Sequence, residues 1–465
     1  MGEASILHIL GMVATLLCIV AIGINSGKRV KNEADFSTGG SKSGIRLMTG
    51  ALIGSLVGGS STIGTAQLAF NYGLSAWWFT LGTGLGCLLF GLIYVKPLRH
   101  SKIVTIQEVV SREYGQLCGT ITSILNSLGL VLNIISQFLS ANALLSSVFG
   151  LSSVFCAIIT VIVMISYVTF GGVIGTGILG NVKLVLTYFA IIFGVYKIWS
   201  LTGFGPILEL PANLYFNIFA RGIGKDLGSM IAVVLGVICG QIYVQVIISG
   251  KSDREAVKAA VLSAFLLPPV GLGSVFIGMF MRVNYPFIES SQAFPLFVIN
   301  HMNPIIGGAI LATLLLALIG TGSGMALGFG TVMTKDIYKK FINKNLSSKS
   351  ELAVNRSFIV FAIMAAAIFT SFNAKTDILT WGFMATGLRG IVLLFPMMGS
   401  LFFKNKVDYR FAIASSIVGF AFYIVGNMVM EFKIDPIFVG IAAGLLIFTA
   451  GFFVKSYAKN TIKIK

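Results

Sequence analysis

The chain alternates long apolar runs with short polar breaks along its whole length. Read at helical spacing, the runs fall at 4–27, 46–70, 75–95, 116–147, 152–171, 173–199, 226–249, 257–281, 303–333, 357–374, 377–403, 410–430 and 435–454. A helix rises about 1.5 Å per residue, so about 20 residues cross about 30 Å of hydrocarbon. In lipid every backbone N–H and C=O must be satisfied within the protein, which leaves helices or a closed barrel. These runs are too long for barrel strands. The pattern predicts an all-α integral membrane protein of about 13 transmembrane helices. One polar break, TIQEVVSREY at 105–114, has the spacing of a short amphipathic helix lying on a membrane face. The longest interruptions, 201–225, 284–303 and 335–356, are too short to fold alone.

Composition agrees. Apolar residues make up 56% of the 465 positions, 11% are charged and mean hydropathy is +0.93, where a soluble domain would be about a quarter charged. The net charge of +17 would suit a nucleic-acid binder if it were clustered, so its location decides. Numbering the breaks alternately puts 25 of the 33 Lys and Arg on one side, six on the other and two inside spans. The positive-inside rule then predicts a multi-pass protein of the plasma (inner) membrane with its N-terminus outside and its C-terminus cytoplasmic. The charge is a topology signal with some attraction for anionic lipid, and nucleic-acid binding is not expected. No Lys or Arg precedes the first run and no small-residue cleavage site follows it, so it reads as a retained span. The cysteines at 18, 87, 118, 156 and 239 and the three histidines are scattered, giving no metal-ligand spacing and no histidine-based catalytic set.

With the first span peripheral, spans two to six and seven to eleven form two groups of five. Five is odd, so the groups run in opposite senses through the membrane, as in an inverted repeat. The expected divisions are a peripheral span over 1–34, a first repeat over 35–200, a second over 201–404, and two C-terminal spans with a basic tail over 405–465. Span two reads GALIGSLVGGSSTIGTAQLAFNYG and span nine contains LALIGTGSGMALGFG. Glycine is costly to hold in a straight helix, and unwound backbone at membrane depth survives only where it lines a cavity. Two interrupted helices, in spans two and nine, would mark a midplane ion and solute site. Close packing through small residues is the other reading, and the sequence leaves both open.

Several motifs in order resemble the sodium:solute symporter family: DFSTGG at 35–40, YGLSAWW at 72–78, FGGVIG at 170–175, CGQIYVQVIISGKSDREAVKAA at 239–260 and TGSGMALGFGTVMTKDIYKKF at 321–341. The resemblance implies a LeuT-type inverted-repeat fold and a sodium site between core helices one and eight. Register carried from the motifs puts helix-one carbonyls at Gly54 and Val57 and the helix-eight positions at Ala317, Gly320 and Thr321. The family's usual pair of adjacent hydroxyls is Gly320–Thr321 here, so one hydroxyl is missing. The family's usual T-D-x-x-Q on core helix five is represented by ILGNVK at 178–183, which has no acid and has Lys183 about where the Gln would be. By these boundaries no Asp or Glu lies inside a span, leaving Lys183 and Arg389 as the interior charges. Arg389 reads as a snorkelling residue near a membrane face. Lys183 reads either as another rim residue or as an ammonium taking the place of the bound cation, and a lysine stripped of water could also release and rebind a proton. Polar candidates for solute contact are Ser55, Ser61, Gln67, Gln137, Gln241 and Trp381.

The function these readings imply is secondary active transport of a small organic solute by alternating access. Coupling to Na+ or H+, or to neither, stays open because Lys183 and Gly320 depart from the usual site. A basic interior without acid favours an anionic or zwitterionic solute. A channel would need a continuous polar lining, and a transport-like sensor a signalling module. An intramembrane enzyme would need paired acids, a Ser–His set or metal ligands. None of these patterns is present, and neither a cofactor nor an obligate protein partner is implied beyond the lipid bilayer.

Overall fold

The computed structural model describes residues 4–27, 43–373, 376–429 and 434–463; the side chains of 20–27, 169–177 and 457–463 are set aside. DFSTGG at 35–40 and the basic residues at 28, 29, 31, 42, 375 and 433 lie outside the described residues. Helices account for the architecture: α1 (Ile6–Gly27), α2 (Ile45–Leu56), α3 (Thr65–Tyr72), α4 (Trp78–Leu89), α5 (Ile106–Tyr114), α6 (Gln116–Phe149), α7 (Ser153–Thr202), α8 (Ile223–Ile238) and α9 (Gln241–Ile248). They continue with α10 (Asp253–Leu266), α11 (Pro268–Asn284), α12 (Pro304–Val332), α13 (Ser348–Phe372), α14 (Ile378–Phe402), α15 (Tyr409–Met428) and α16 (Pro436–Lys463).

Burial separates core from periphery. In α12 and α14, 83% of the apolar stretch is enclosed, against 33% in α13 and α15 and 28% in α16. The outer helices present large apolar side chains outward, among them Phe155, Ile192, Phe361 and Leu446, each 60–70% exposed. Such a belt is stable only against hydrocarbon. Nine helices among the described residues are long and apolar enough to cross a membrane, or ten if the bent pair α8–α9 is one span. Three shorter apolar helices, Ile6–Ile19, Ile45–Leu56 and Ser153–Val168, accompany them. Helix length alone therefore does not reproduce the expected thirteen.

Of the two expected helix breaks, one is present and one is not. Span two is broken as read: α2 ends at Leu56, an irregular stretch covers Val57–Gly59, and a π turn over Ser60–Gly64 leads into α3. Span nine is not broken. Its glycines sit in the continuous 29-residue α12 and serve close approach instead. A Cβ at Gly322 would meet the Met164 methyl at 2.4 Å, and one at Gly330 would meet Asn355 Oδ1 at 2.4 Å. The second interrupted helix is span seven, where α8 and α9 meet at Cys239–Gly240 with a bend of 41°.

Spans five and six also differ from expectation, because helical hydrogen bonding runs through 153–202 without the anticipated turn at 170–175. The element nonetheless bends between Tyr167 and Lys183. Tyr167 and Lys183 both approach Gly320, yet sixteen residues of straight helix would separate them by about 24 Å.

The amphipathic segment forms α5. Thr105 caps it by accepting from Glu108 N, and Glu108 reaches back to Val104 N, a reciprocal capping box. Ile106, Val109 and Val110 are buried. The YGLSAWW link is a turn that needs glycine: Gly73 has φ +53°, and a Cβ there would sit 2.1 Å from Tyr215 O.

Candidate functional site

The break after α2 leaves backbone carbonyls without helical partners, and neighbouring side chains answer them. Ser61 Oγ donates to Leu56 O and Thr62 Oγ1 to Gly58 O, while Gly59 N donates to Gln137 Oε1 at 2.8 Å. Glycine is required here for space. A Cβ at Gly58 would come within 2.6 Å of Gln137 Oε1 and 2.7 Å of Thr321 Oγ1, and one at Gly59 within 2.2 Å of Ser140 Oγ.

Lys183 of α7 points into this break. Its side chain is 1% exposed. The ammonium donates to Gly54 O and Ala317 O, each at 2.7 Å, and to Thr321 Oγ1 at 3.1 Å. Thr321 Oγ1 in turn donates to Val57 O at 3.0 Å. An ammonium has three N–H donors, and each has an oxygen. The approach depends on Gly180, one turn earlier, where a Cβ would lie 1.9 Å from Gly50 O. Backbone contact at Gly180 brings α7 close enough to α2 for Lys183 to reach Gly54. The rim position is thereby excluded for Lys183. At Gly320 a Cβ would stand 3.5 Å from Lys183 Nζ and 3.3 Å from Tyr167 Oη, so the missing hydroxyl would fall beside the ammonium.

Gly54, Val57, Ala317, Gly320, Thr321 and Lys183 thus meet at one point. The solute candidates do not. Ser55 and Gln137 line a small central cavity of about 20 Å³, together with Ser60, Thr83, Asn133, Tyr243, Thr321, Met325 and Thr386. That volume holds about one water, so any solute requires helix movement. Ser61 is spent on the break. Gln67 donates to Asp377 Oδ1 at 3.2 Å and accepts from Ile378 N at 3.1 Å. It lines a separate vestibule of about 470 Å³ that also includes Glu289, Thr376 and Asp377. Gln241 accepts from Ile106 N and donates to Val104 O, at 3.0 and 2.9 Å. Trp381 Nε1 donates to Thr376 Oγ1 while its ring meets Phe369 edge-on. Gln67 and Gln241 are therefore clips between helices rather than free ligands. Each joins the half-helix after a break to the start of a neighbouring helix.

The sequence reading missed Asn133, Tyr243 and Met325, and misplaced Arg389, which is fully buried rather than snorkelling. Asn133 could have been found from Gln137, one helical turn away on the same face. The signal for Arg389 was the glycines on either side of it, Gly387 and Gly390.

The sodium:solute symporter family model matches residues 36–419. The chain belongs to the sodium:solute symporter family. The high affinity choline transporter 1 of Homo sapiens is 23% identical over 458 aligned residues, covering 90% of this chain and 77% of the relative. The sodium/proline symporter of Staphylococcus aureus (strain NCTC 8325 / PS 47) is 25% identical over 379, covering 76% and 73%. Among solved structures, a substrate-bound Na+-coupled sialic acid symporter superposes with a TM-score of 0.80 at 17% identity, over 98% of both chains. A nucleobase-cation-symport-1 family transporter in a closed conformation gives 0.60 at 13% identity, over 92% of this chain and 96% of the other. This family member therefore has the LeuT-type helical fold and is a multi-pass secondary active transporter of small solutes. Its relatives are transporters rather than enzymes, and the family is named for sodium as its coupling ion.

Proposed function

We propose that this symporter-family chain carries a small organic solute, anionic or zwitterionic, across the plasma membrane without using sodium, Lys183 standing where the cation would bind. The observation that carries the reading is the seat of the Lys183 ammonium against Gly54 O, Ala317 O and Thr321 Oγ1. These hard oxygens suit a sodium ion, and an ammonium 2.7 Å from two of them fills the same space. Coupling then comes from a proton on Lys183 or from exchange of one solute for another.

Alternating access acts on two repeats, 35–200 and 201–404, framed by 1–34 and 405–465. The N-terminus is outside and the C-terminus cytoplasmic, in accord with the basic breaks. On that orientation Gln67 closes the outer approach and Gln241 the inner one. Within the central cavity Ser55 and Gln137 contact the solute. The relatives named for choline, proline and sialic acid support a small organic solute. Their named solutes are a cation, a zwitterion and an anion, so the charge preference rests on this chain's own interior.

The test is counterflow in proteoliposomes over a panel of small solutes, with sodium or potassium as the only alkali cation. Uptake of at least one solute at the same rate in both salts is expected. Strict dependence on sodium overturns the coupling assignment, and no flux of any solute overturns the transport reading. For orientation, a C-terminal reporter that works only in the cytoplasm should be active; activity of a periplasm-only reporter at that end refutes the topology.

A further inference from the structure

The two basic side chains inside the bundle differ in how they are satisfied. Lys183 has three donors and three oxygens. Arg389 carries five N–H groups in a rigid fork and is 0% exposed. Its Nε donates to Ala385 O at 3.2 Å and its Nη1 meets the Met325 thioether at 3.5 Å. Nη2 has no hydrogen-bond partner among the described residues, and no carboxylate there pairs with the guanidinium. A thioether is a weak acceptor, and a buried charge without a counter-charge is costly to keep.

The fold nevertheless makes room for this arginine. Gly129 of α6 faces its stem, and a Cβ there would come within 2.6 Å of Arg389 Cγ. The guanidinium lies beside Tyr243, and Tyr243, Met325 and Thr386 all line the central cavity. Asn133, one turn from Gly129 on the same face of α6, also lines the cavity; its Oδ1 is unpartnered, an acceptor suited to a donor group on the solute rather than to its carboxylate. Arg389 on α14 thus stands directly behind Met325 and Tyr243, next to the central cavity but not on its wall in this closed arrangement, with Asn133 of α6 on the wall itself. Met325 covers Nη1 from the cavity side; an unbranched side chain swings cheaply, and its displacement would bare Nη1 as well as Nη2.

We infer that Arg389 is the anion-recognising group of the solute pocket and receives a carboxylate of the transported molecule, with Tyr243 and Asn133 beside it. This rests on reading the central cavity as the solute site, and it fixes the chemical class as small carboxylates, whether anionic or zwitterionic. Two carboxylate oxygens match the guanidinium fork in a bidentate pair, which a single hydroxyl or amide oxygen does not. Lys183 is not available for that role, since its donors are already taken.

The test uses the purified full-length protein. Thermal midpoints are recorded with lactate, benzoate, nicotinate and proline at tens of millimolar, each beside its own amide, and with choline and chloride. At least one carboxylate should raise the midpoint where its amide, choline and chloride do not. Arg389→Met should weaken that carboxylate about 10- to 100-fold, with Arg389→Lys in between. Arg389→Met should keep the solute-free midpoint, because it removes an uncompensated charge; if it does not fold, Arg389→Lys carries the comparison. The inference is overturned if no carboxylate stabilises, if an amide or chloride serves equally well, or if the variant binds within about twofold of wild type. Failure of the transport reading looks different. A carboxylate that binds through Arg389 but never crosses in counterflow removes the transporter and leaves the subsite. Counterflow of neutral or cationic solutes alone does the reverse.

Discussion

Replacing Lys183 by Ala separates a structural lysine from a coupling one. The substitution removes two hydrogen bonds to carbonyls at 2.7 Å and one to a hydroxyl at 3.1 Å. Hydrogen bonds to a charged group are worth about 1.5–3 kcal/mol each, so the three account for about 4.5–9 kcal/mol. Losing the buried stem adds about 2 kcal/mol. Against this stands the desolvation of the ammonium, several kcal/mol that the variant recovers. The terms oppose one another, so stability should fall by a few kcal/mol, while coupling is lost outright. In proteoliposomes the wild type should accumulate solute equally in sodium and in potassium. Lys183→Ala should fall to simple equilibration, with exchange retained. The vacated oxygens Gly54 O, Ala317 O and Thr321 Oγ1, with Val57 O beside them, should then accept sodium. Sodium at about a hundredfold over its dissociation constant would add about 2.7 kcal/mol of stability, and only in the variant. Strict sodium dependence in the wild type together with normal accumulation in Lys183→Ala would refute the reasoning.

Adding Gly320→Ser to Lys183→Ala restores the adjacent hydroxyl pair, in a space where a Cβ stands 3.5 Å from the departed Nζ. The double variant should show a larger sodium-dependent rise in thermal midpoint than Lys183→Ala alone, and equal midpoints would count against the cation-site geometry. Gln241→Ala strands Val104 O and Ile106 N, groups that cost about 1–3 kcal/mol each when left unsatisfied. The end of the bundle that Gln241 holds should therefore open more often, read as faster maleimide labelling of a cysteine placed at Thr331; unchanged labelling would show that Gln241 is no clip. Arg221→Ala leaves Asp226, which is 0% exposed and 2.6 Å from Arg221 Nη2, as a buried uncompensated carboxylate. A loss of about 3–5 kcal/mol is expected by thermal or denaturant unfolding. A loss under about 1 kcal/mol would place the pair among exposed ion pairs of little consequence.

The membrane class was legible in the sequence because its cause is local: each backbone group in lipid must bond within its own segment, so a long apolar run has one outcome. The same holds for the amphipathic segment at 105–114; in span two, where the sequence left breaking and packing both open, Gly58 and Gly59 adjoin hydroxyls that take over the freed carbonyls. Which glycines pack and which break was not local. Gly322 and Gly330 look like breakers in sequence, yet Met164 and Asn355 press against them and hold α12 straight. Gly240 is a single residue, but it ends up where α8 and α9 part. Lys183 shows the division most sharply. The sequence put a lysine where the family has none, and left open whether it met water or the cation site. Its depth was decided by Gly180 against Gly50, a contact between residues 130 positions apart, which lets one backbone approach another closely enough for the ammonium to reach Gly54. Arg389 likewise owes its burial to Gly129 on a different helix. Side-chain depth in a bundle depends on how closely its helices approach, and that spacing is a property of pairs that only the tertiary structure brings together.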